Sequence, residues 1–372
     1  MLKRTDDEAL YAQLAAAYKT RILNGSLSAG TRLPSEAELA REHRISRGTV
    51  RQAMAILVRE GMLERVPGRG TFVREVPVFS GEVDARRAED RRIGLLLSLR
   101  RSELDLDILM GVEDAAKARG YRVSFAYTEE SAEEEQRDIQ RLRTDRVAGL
   151  IIFPLSDVQH DDAIWQLHAD GLPFVLIDRY FPDLDADSVT DDNLGGGFRL
   201  TEHLIILGHR RIAFCYPSFG SLKTTSVRDR YAGYCRALAE YGIPLDESLV
   251  FQCDYTHKVK DYEAFLAREG RPTAVIGSND YEAAEVIHAA QHLGLTLPDD
   301  LAVVGFGNIG FAAYISPRLT TMAQADQDVG RRAADLLISR IEGMGGVARR
   351  IELPMQLLVR ESCGARQRVK TR

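Results

Sequence analysis

Between Asp6 and Asn24 the apolar positions Leu10, Leu14, Tyr18 and Ile22 recur every four residues, the period of one helical face, and Gly25 stands where such a helix would end. After a turn-rich stretch to Gly30, Ser35 precedes a short amphipathic run and Glu38 follows three residues later, the spacing of a capping box. That helix is expected to end near His43. Arg44 and Ile45 leave room for a tight connection only, and Ser46 is placed to cap a second helix running from Arg47 to Leu57. Two short helices joined by so brief a turn predict a helix-turn-helix. Strand-like runs at Met62 to Val66 and Thr71 to Arg74 flank Pro67, Gly68, Arg69 and Gly70, which predicts a hairpin, or wing, with an arginine at its tip.

The second helix sets Val50, Ala53, Met54 and Leu57 on the side that must pack, with Arg47 and Arg51 on a stripe beside it. Gly48 removes bulk where a partner would approach. Helices that read the major groove of DNA use their N-terminal residues, and arginine can bridge guanine O6 and N7. Ser46 and Thr49 are positioned for phosphates or base edges, and an arginine on a wing, here Arg69, commonly enters the minor groove. The competing reading is a solvated basic face.

Residues 75–91 keep no apolar period, mix both charges and include Pro77 and Gly81, so they read as a tether. From Arg92 onward strand-like and helix-like runs alternate: RIGLLLSL, a helix to Arg119, RVSFAYT, a helix from Ser131 to Arg143, GLIIF, a helix ending before Gly171, and PFVLID. The rhythm restarts after Ser188 with a helix from Leu194, RRIAFCY, a helix from Ser226 to Tyr241, LVFQC, AVIGSND, a helix to Leu293 and LAVVGFG. Such βαβ repetition implies parallel sheets covered by helices on both faces. Two such units predict two α/β lobes with a ligand cleft at the strand C-termini between them.

Composition sharpens this picture at three points. Residues 1–74 carry a formal charge of +5 and the remainder −11, within a total of −6 over 372 residues, which suits a head for a polyanion on a body that avoids it. No apolar run is long enough to span a bilayer, and the charged Met1 to Glu8 is not a signal-peptide core, so a cytoplasmic protein is expected. The four cysteines, Cys215, Cys235, Cys253 and Cys363, lack metal-ligand or redox spacing, so no metal and no cofactor is expected.

The run LPSEAELAREHRISRGTVRQAMAILVREGMLERVPGRGTFV resembles the winged-helix domain of the GntR family. By that resemblance Ser35, Arg47, Thr49, Arg51, Gly68 and Arg69 fall where the family contacts DNA, whereas Ala37 departs from members with Arg or Asn there. RIGLLLS, VTDDNLGGGFRLTEHLIILGHRRIAF, RYAGYCRALAEYGI, AVIGSND, LPDDLAVVGFGN and LTTMAQADQDVGRRAADLL, in that order, resemble the sensor domain of the LacI/GalR repressors, itself similar to periplasmic sugar-binding proteins. A GntR-type head on a LacI-type body is the arrangement of the arabinose repressors of Gram-positive bacteria, which the chain resembles overall. The resemblance implies a winged helix-turn-helix at 1–74, a linker at 75–91 and an effector domain at 92–362. Lobe 1 would take about 92–190 and 325–345, and lobe 2 about 191–323 and 347–362.

The same resemblance implies an effector pocket containing Asp178, Arg179, Arg230, Asn279 and Asp280, whose carboxylate, guanidinium and amide groups suit paired hydrogen bonds to a polyol. The acid usual after VVGF is replaced by Gly307, followed by Asn308, and Asp326 is expected to restore a carboxylate to the cleft. Hinges are expected near Thr190, Gln324 and Gly346, and a homodimer on a palindromic operator follows from the symmetry of helix-turn-helix regulators.

Two other functions compete. Gly305 to Gly310 satisfies the dinucleotide pattern G-x-G-x-x-G, but Pro317 interrupts the segment behind it and no strand ending in an acid follows at the right distance. Gly195, Gly196 and Gly197 open a helix that could favour an anion, yet in the resembling family they serve close helix packing. A free-standing sugar-binding protein would need export and no DNA-binding head. Neither a P-loop, nor HExxH, nor G-x-S-x-G occurs, so catalysis lacks a nucleophile or metal.

Overall fold

The computed structural model describes residues 10–23, 27–28, 30–43, 45–59, 62–66, 70–73, 91–98, 103–128, 131–155, 162–218, 222–254 and 258–365. Two compact units result. The first, the head, runs to Asp84 and includes Ser339–Ala348, and the second, the body, holds the rest.

In the head, α1 (Leu10–Leu23), α2 (Glu36–His43) and α3 (Arg47–Arg59) precede the antiparallel pair β1 (Leu63–Val66) and β2 (Gly70–Val73). Leu14, Tyr18 and Ile22 of α1 and Val50, Ala53, Met54 and Leu57 of α3 are buried in one cluster. The four-residue period of α1 and the packing side of α3 therefore meet, and each fully buried large side chain contributes about 1.5–3 kcal/mol. The stretch before α2 joins this pair through an isolated antiparallel bridge, Arg32 opposite Phe72. Gly30 N donates to Val73 O at 2.8 Å, Val73 N to Thr31 O at 2.9 Å and Leu33 N to Thr71 O at 2.9 Å. Pro34 ends that pairing, and the expected helix start at Asp6 and the wing tip at residues 67–69 lie outside the described residues.

The body has two six-stranded sheets. Lobe 1 orders its strands β13-β7-β6-β5-β3-β4, all parallel, and lobe 2 orders its strands β14-β12-β11-β10-β8-β9, parallel apart from β14. The ranges are β3 (Arg92–Ser98), β4 (Arg122–Thr128), β5 (Leu150–Ile152), β6 (Phe174–Ile177) and β7 (Asp187–Asp191), then β8 (Ile212–Pro217), β9 (Val250–Cys253), β10 (Ala274–Gly277), β11 (Ala302–Gly307), β12 (Thr320–Ala323), β13 (Arg350–Leu353) and β14 (Gln356–Leu358). Central strands β5, β6, β8 and β10 are buried along their whole length, as parallel strands covered on both faces must be. Around the sheets lie α4 (Glu103–Ala118), α5 (Ala132–Thr144), α6 (Asp162–Ala169), α7 (Asn193–Ile206), α8 (Thr225–Glu240), α9 (Lys258–Ala267), α10 (Asp280–His292) and α11 (Asp326–Ile341). Among the described residues no helix is long and apolar enough to cross a membrane.

Two expected lobe boundaries need correction. Residues 347–362 are not all in lobe 2, because β13 pairs in parallel with β7, from Arg350 opposite Ser188 to Leu353 opposite Asp191. The third passage between lobes is thus at Pro354–Met355, where β13 gives way to β14, and not near Gly346. The expected lobe 1 segment 325–345 is also divided, since the first unit takes over at Ser339. Arg340 closes that stretch on itself, donating from Nη1 to Gly346 O at 2.9 Å and from Nη2 to Val347 O at 2.8 Å.

The three passages lie side by side. Asp191 at the end of β7 accepts from Ala325 N at 3.0 Å and Gln324 Nε2 at 2.8 Å, both on the second passage, and Asp192 N donates to Leu353 O, on the third, at 2.7 Å.

Candidate functional site

On the head, the serine caps form as the sequence implies. Ser35 N donates to Glu38 Oε2 at 2.8 Å and Glu38 N to Ser35 Oγ at 3.3 Å, the reciprocal capping box, and the Ser35 hydroxyl and backbone hold the Glu38 carboxyl below its ordinary range. At α3, Ser46 Oγ accepts from Thr49 N at 3.0 Å and shares a hydrogen bond with Thr49 Oγ1 at 2.8 Å. Ser46, Arg47, Gly48 and Arg51 are exposed and Thr49 is half-buried. A Cβ on Gly48 would meet only Ser46 Oγ, at 3.6 Å, so the head's own packing leaves room for a larger side chain there. Arg47 has no hydrogen-bond or ion-pair partner among the described residues, whereas Arg51 Nε lies 3.2 Å from Glu36 Oε2. Gly68 and Arg69 lie outside the described residues.

In the body, a cavity of about 130 Å³ lies between the lobes at the C-terminal ends of the strands and is lined by Asp178, Arg179, Arg230, Asn279 and Asp280. Larger hollows exist, such as one of about 360 Å³ beside Arg211 and Tyr241, but the interlobe cavity is where buried charges from both lobes converge. Asp178 follows β6 with φ of 63°, a left-handed conformation that costs energy for a residue with a Cβ. Its Oδ2 accepts from Ser226 Oγ of lobe 2 at 3.4 Å and lies 3.5 Å from Arg179 Nε. Arg179 is buried, donates through Nη1 to the carbonyls of Pro154 and Leu155, and lies over the Phe153 ring at 5.4 Å.

Arg230, on α8, is only 5% exposed. Its Nε donates to Asn193 Oδ1 at 2.8 Å and its Nη1 to Ser278 O at 2.7 Å, and its guanidinium lies 4.8 Å from the Phe306 ring centre. Burial pulls its pKa down, while Asp178, Asp191, Asp280 and Asp326 oppose that. The backbone beneath it is reached closely: a Cβ on Gly197 would stand 2.1 Å from Arg230 O, and one on Gly233 2.2 Å from Leu194 O. The glycine run at the start of α7 therefore lets α7 and α8 touch.

Asn279 and Asp280 line the cavity with much of their hydrogen-bonding capacity already used. Asn279 Oδ1 caps α10 by accepting from Glu282 N at 2.9 Å. Asp280 accepts from Thr321 Oγ1 at 2.6 Å and Ile309 N at 3.1 Å, and burial pushes its carboxyl up to about 6. Gly305 exists for this carboxylate, since a Cβ there would stand 2.4 Å from Asp280 Oδ1. The third glycine of that string, Gly310, opens a four-residue 3₁₀ turn and not the α-helix a pyrophosphate needs. Among the described residues no cluster of three His, Cys, Asp or Glu is placed to hold a metal ion.

Asp326 does not line the cavity. It is the first residue of α11, two positions beyond Gln324, and Gln324 is the lining residue of that passage. Burial, with Asp191 and Asp178 nearby, pushes the Asp326 carboxyl up to about 8. The cavity also recruits Ser98, Asp105 and Phe153 of lobe 1 and Ser278 and Phe306 of lobe 2, none of which the sequence reading singled out. Ser278 stands inside the SND string and could have been found there; the others carry no local signal. Among the described residues the buried Ser278 hydroxyl and Arg179 Nε have no hydrogen-bond partner.

Residues 10–73 match the gntR family of bacterial regulatory proteins, and residues 201–363 match the periplasmic binding protein-like domain. The arabinose metabolism transcriptional repressor of Geobacillus stearothermophilus is 32% identical over 343 residues, covering 89% of this chain and 91% of that protein. Among solved structures, a complex of the transcriptional regulator CelR with cellobiose is 25% identical with a TM-score of 0.66, over 89% of this chain and all of that one. A LacI family regulator of Enterococcus faecium with bound ribose is 26% identical with a TM-score of 0.62, over 73% of this chain and 98% of that one. The chain belongs to the family of transcriptional repressors that join a GntR-type helix-turn-helix head to a LacI-type, periplasmic-binding-protein-like body.

Proposed function

We propose that this repressor binds a palindromic operator as a homodimer and that a small sugar-like effector in the interlobe cavity changes its affinity for DNA. The observation that carries the reading is the convergence of Asp178 and Arg179 from one lobe with Arg230 and the unpartnered Ser278 hydroxyl from the other on a single cavity. A buried hydroxyl without a partner is costly. A polyol would supply one while taking paired hydrogen bonds from the charged groups. The ribose and cellobiose held by the structural neighbours support the carbohydrate class.

On the head, the exposed first turn of α3 supports a DNA face of Arg47, Gly48, Thr49 and Arg51, with Ser35 and Ser46 at the caps. Arg47, which has no partner among the described residues, is the side chain readiest to contact a base or phosphate, whereas Arg51 must exchange Glu36. Gly68 and Arg69 remain part of the proposed face through the family resemblance. The homodimer reading is supported by the exposed Leu106 and Met110 on α4 and Phe125 and Tyr127 on the edge strand β4. The carboxylates and arginines of the cavity serve binding here; a role as a regulator, and not as an enzyme, accords with the named relatives.

The test is titration of the full chain onto the DNA upstream of its own gene, with and without L-arabinose, D-ribose and cellobiose, at several salt concentrations. Wild-type affinity should fall steeply with salt and shift with one of the sugars. Arg47→Ala should weaken operator binding by about 1–3 kcal/mol and leave sugar binding unchanged. Equal affinity for operator and random duplex would sink the proposal.

A further inference from the structure

Outside the cavity the two lobes meet again at a cluster built on Tyr180. Tyr180 belongs to lobe 1 and follows Arg179 directly. Its hydroxyl donates to Asp229 Oδ2 at 3.0 Å and accepts from Arg228 Nη2 at 2.7 Å, both residues being on α8 of lobe 2. Its backbone N donates to Thr225 Oγ1 of the same helix at 3.2 Å. Arg350 of β13, in lobe 1, stacks on the Tyr180 ring at 3.6 Å and donates across to Asp229 Oδ2 at 3.3 Å. The cluster is braced within each lobe as well, by Glu352 at 2.7 Å from Arg350 and by Arg228 Nε donating to Asp229 Oδ1 at 3.2 Å.

Three physical features make this more than a surface ion pair. The Asp229 side chain is 15% exposed, so its bonds are less screened than those of a solvated pair. Two guanidinium groups approach the ring, Arg350 at 3.6 Å and Arg228 at 5.7 Å from its centre, and the hydroxyl bonds in both directions, so the parts polarise one another. Burial, aided by Asp229, pushes the hydroxyl above its ordinary range, which keeps it a donor. The placement matters most. Tyr180 adjoins Arg179 in the chain and Asp229 adjoins Arg230, so these two members of the cluster are each one peptide bond from a cavity-lining guanidinium.

We propose that the Tyr180–Asp229–Arg228–Arg350 cluster is an interlobe latch that holds the cavity groups of both lobes within reach of one solute, and so sets effector affinity without touching the effector. Any widening of the cleft must break the bonds from Tyr180 and Arg350 to α8. The consequence for sugar affinity rests on the effector reading above, but the latch itself does not.

Tyr180→Phe deletes the hydroxyl and keeps the stacked ring, and Asp229→Asn removes the shared anion; both are made in the full chain, singly and together. Spin labels on Gln140 of lobe 1 and Glu240 of lobe 2, both exposed, report the interlobe distance without sugar in a Cys235→Ser background, the other three cysteines being buried. The single variants should broaden the distribution toward longer distances. Their Kd for whichever of L-arabinose, D-ribose or cellobiose binds the wild type should rise at least about tenfold, since even one lost hydrogen bond to a charged group accounts for that and the Tyr180 hydroxyl makes two. Saturating sugar should restore the wild-type distance, because a ligand that favours the closed arrangement repopulates it. The double variant should be little worse than either single one, since both break one unit. Wild-type distances in the variants, fully additive losses, or tighter sugar binding would each overturn the latch. A shifted distance in a protein that binds none of the three sugars would support the latch and overturn the effector reading.

Discussion

Arg230→Lys tests whether a guanidinium fork, and not simply a positive charge, organises the cavity. The arginine makes two differently directed donations, 2.8 Å to Asn193 Oδ1 and 2.7 Å to Ser278 O, from a site that is 5% exposed. A lysine ammonium, a compact point charge on a flexible stem, carries its three donors on one nitrogen and does not reproduce the fixed separation of Nε and Nη1, so at least one of the two acceptors should lose its bond. A hydrogen bond to a charged group contributes about 1.5–3 kcal/mol, and Asn193, itself buried, would be left with an unsatisfied oxygen. The ammonium is also more strongly hydrated, so its burial costs more. The sum is a loss of about 2–3 kcal/mol, which for a domain of this size lowers the melting temperature by roughly 4–12 °C. Calorimetry of the full chain should show it in the transition of the body and not in that of the head. Arg230→Met goes further, removing the counter-charge that Asp178, Asp191, Asp280 and Asp326 share, and should cost about 3–5 kcal/mol. Sugar binding should be lost in both variants. A lysine variant that melts within a degree of wild type and binds sugar normally would show that the fork does no organising, and the account of the cavity would fall with it.

Gly197→Ala places a Cβ 2.1 Å from Arg230 O, a contact between two backbones that no rotamer relieves. The overpacking should cost about 1–3 kcal/mol and, by displacing α8 under Arg230, weaken sugar binding more than an equal loss of stability elsewhere; unchanged melting and affinity would refute the close-packing role. Asp326 gives the body a pH dependence of definite sign. Its folded pKa of about 8 lies above the ordinary value of 3.8, so between those limits the native state holds a proton that the unfolded chain has released. Stability should therefore fall as pH rises through that window, by up to about 1.4 kcal/mol per pH unit for this one group. Asp326→Asn should flatten the melting profile between pH 5 and 9, and a variant with the wild-type slope would assign the effect to another group, Asp191 first.

What the chain discloses on its own divides by the distance between interacting residues. The face of α1, both serine caps and the packing side of α3 were legible because each is specified within about two helical turns, and the central strands because burial on both faces makes them continuous apolar runs. The edges were not. Thr31 to Leu33 carries no strand pattern of its own yet bonds to β2, and the alternation of Arg350, Ile351, Glu352 and Leu353, though strand-like, is only four residues long and its partner strand lies more than 150 residues upstream. With β13 unrecognised, the third passage between lobes was placed at a glycine, Gly346, the residue that composition favours for a hinge.

The cavity shows the same division in chemistry. Asp178, Arg179 and Arg230 were found because family strings carry them, but which of their atoms are free could not be read. Asn279 and Asp280 illustrate why: one spends its carbonyl capping α10 and the other is engaged by Thr321 and Ile309, partners that only the folded lobe supplies. Asp326, expected in place of the acid missing at Gly307, is not among the lining residues for a related reason, since the passage that carries it presents Gln324 to the cavity first. Gln324 in turn donates its amide to Asp191, 133 residues away in the chain, at the first passage. One side chain therefore both lines the cavity and ties two interlobe passages together. The Gln324 amide has a second N–H and a carbonyl to offer a solute, so a solute held by Gln324 would bear on the same side chain that bonds Asp191, and that link arises from a contact which no local pattern in the sequence encodes.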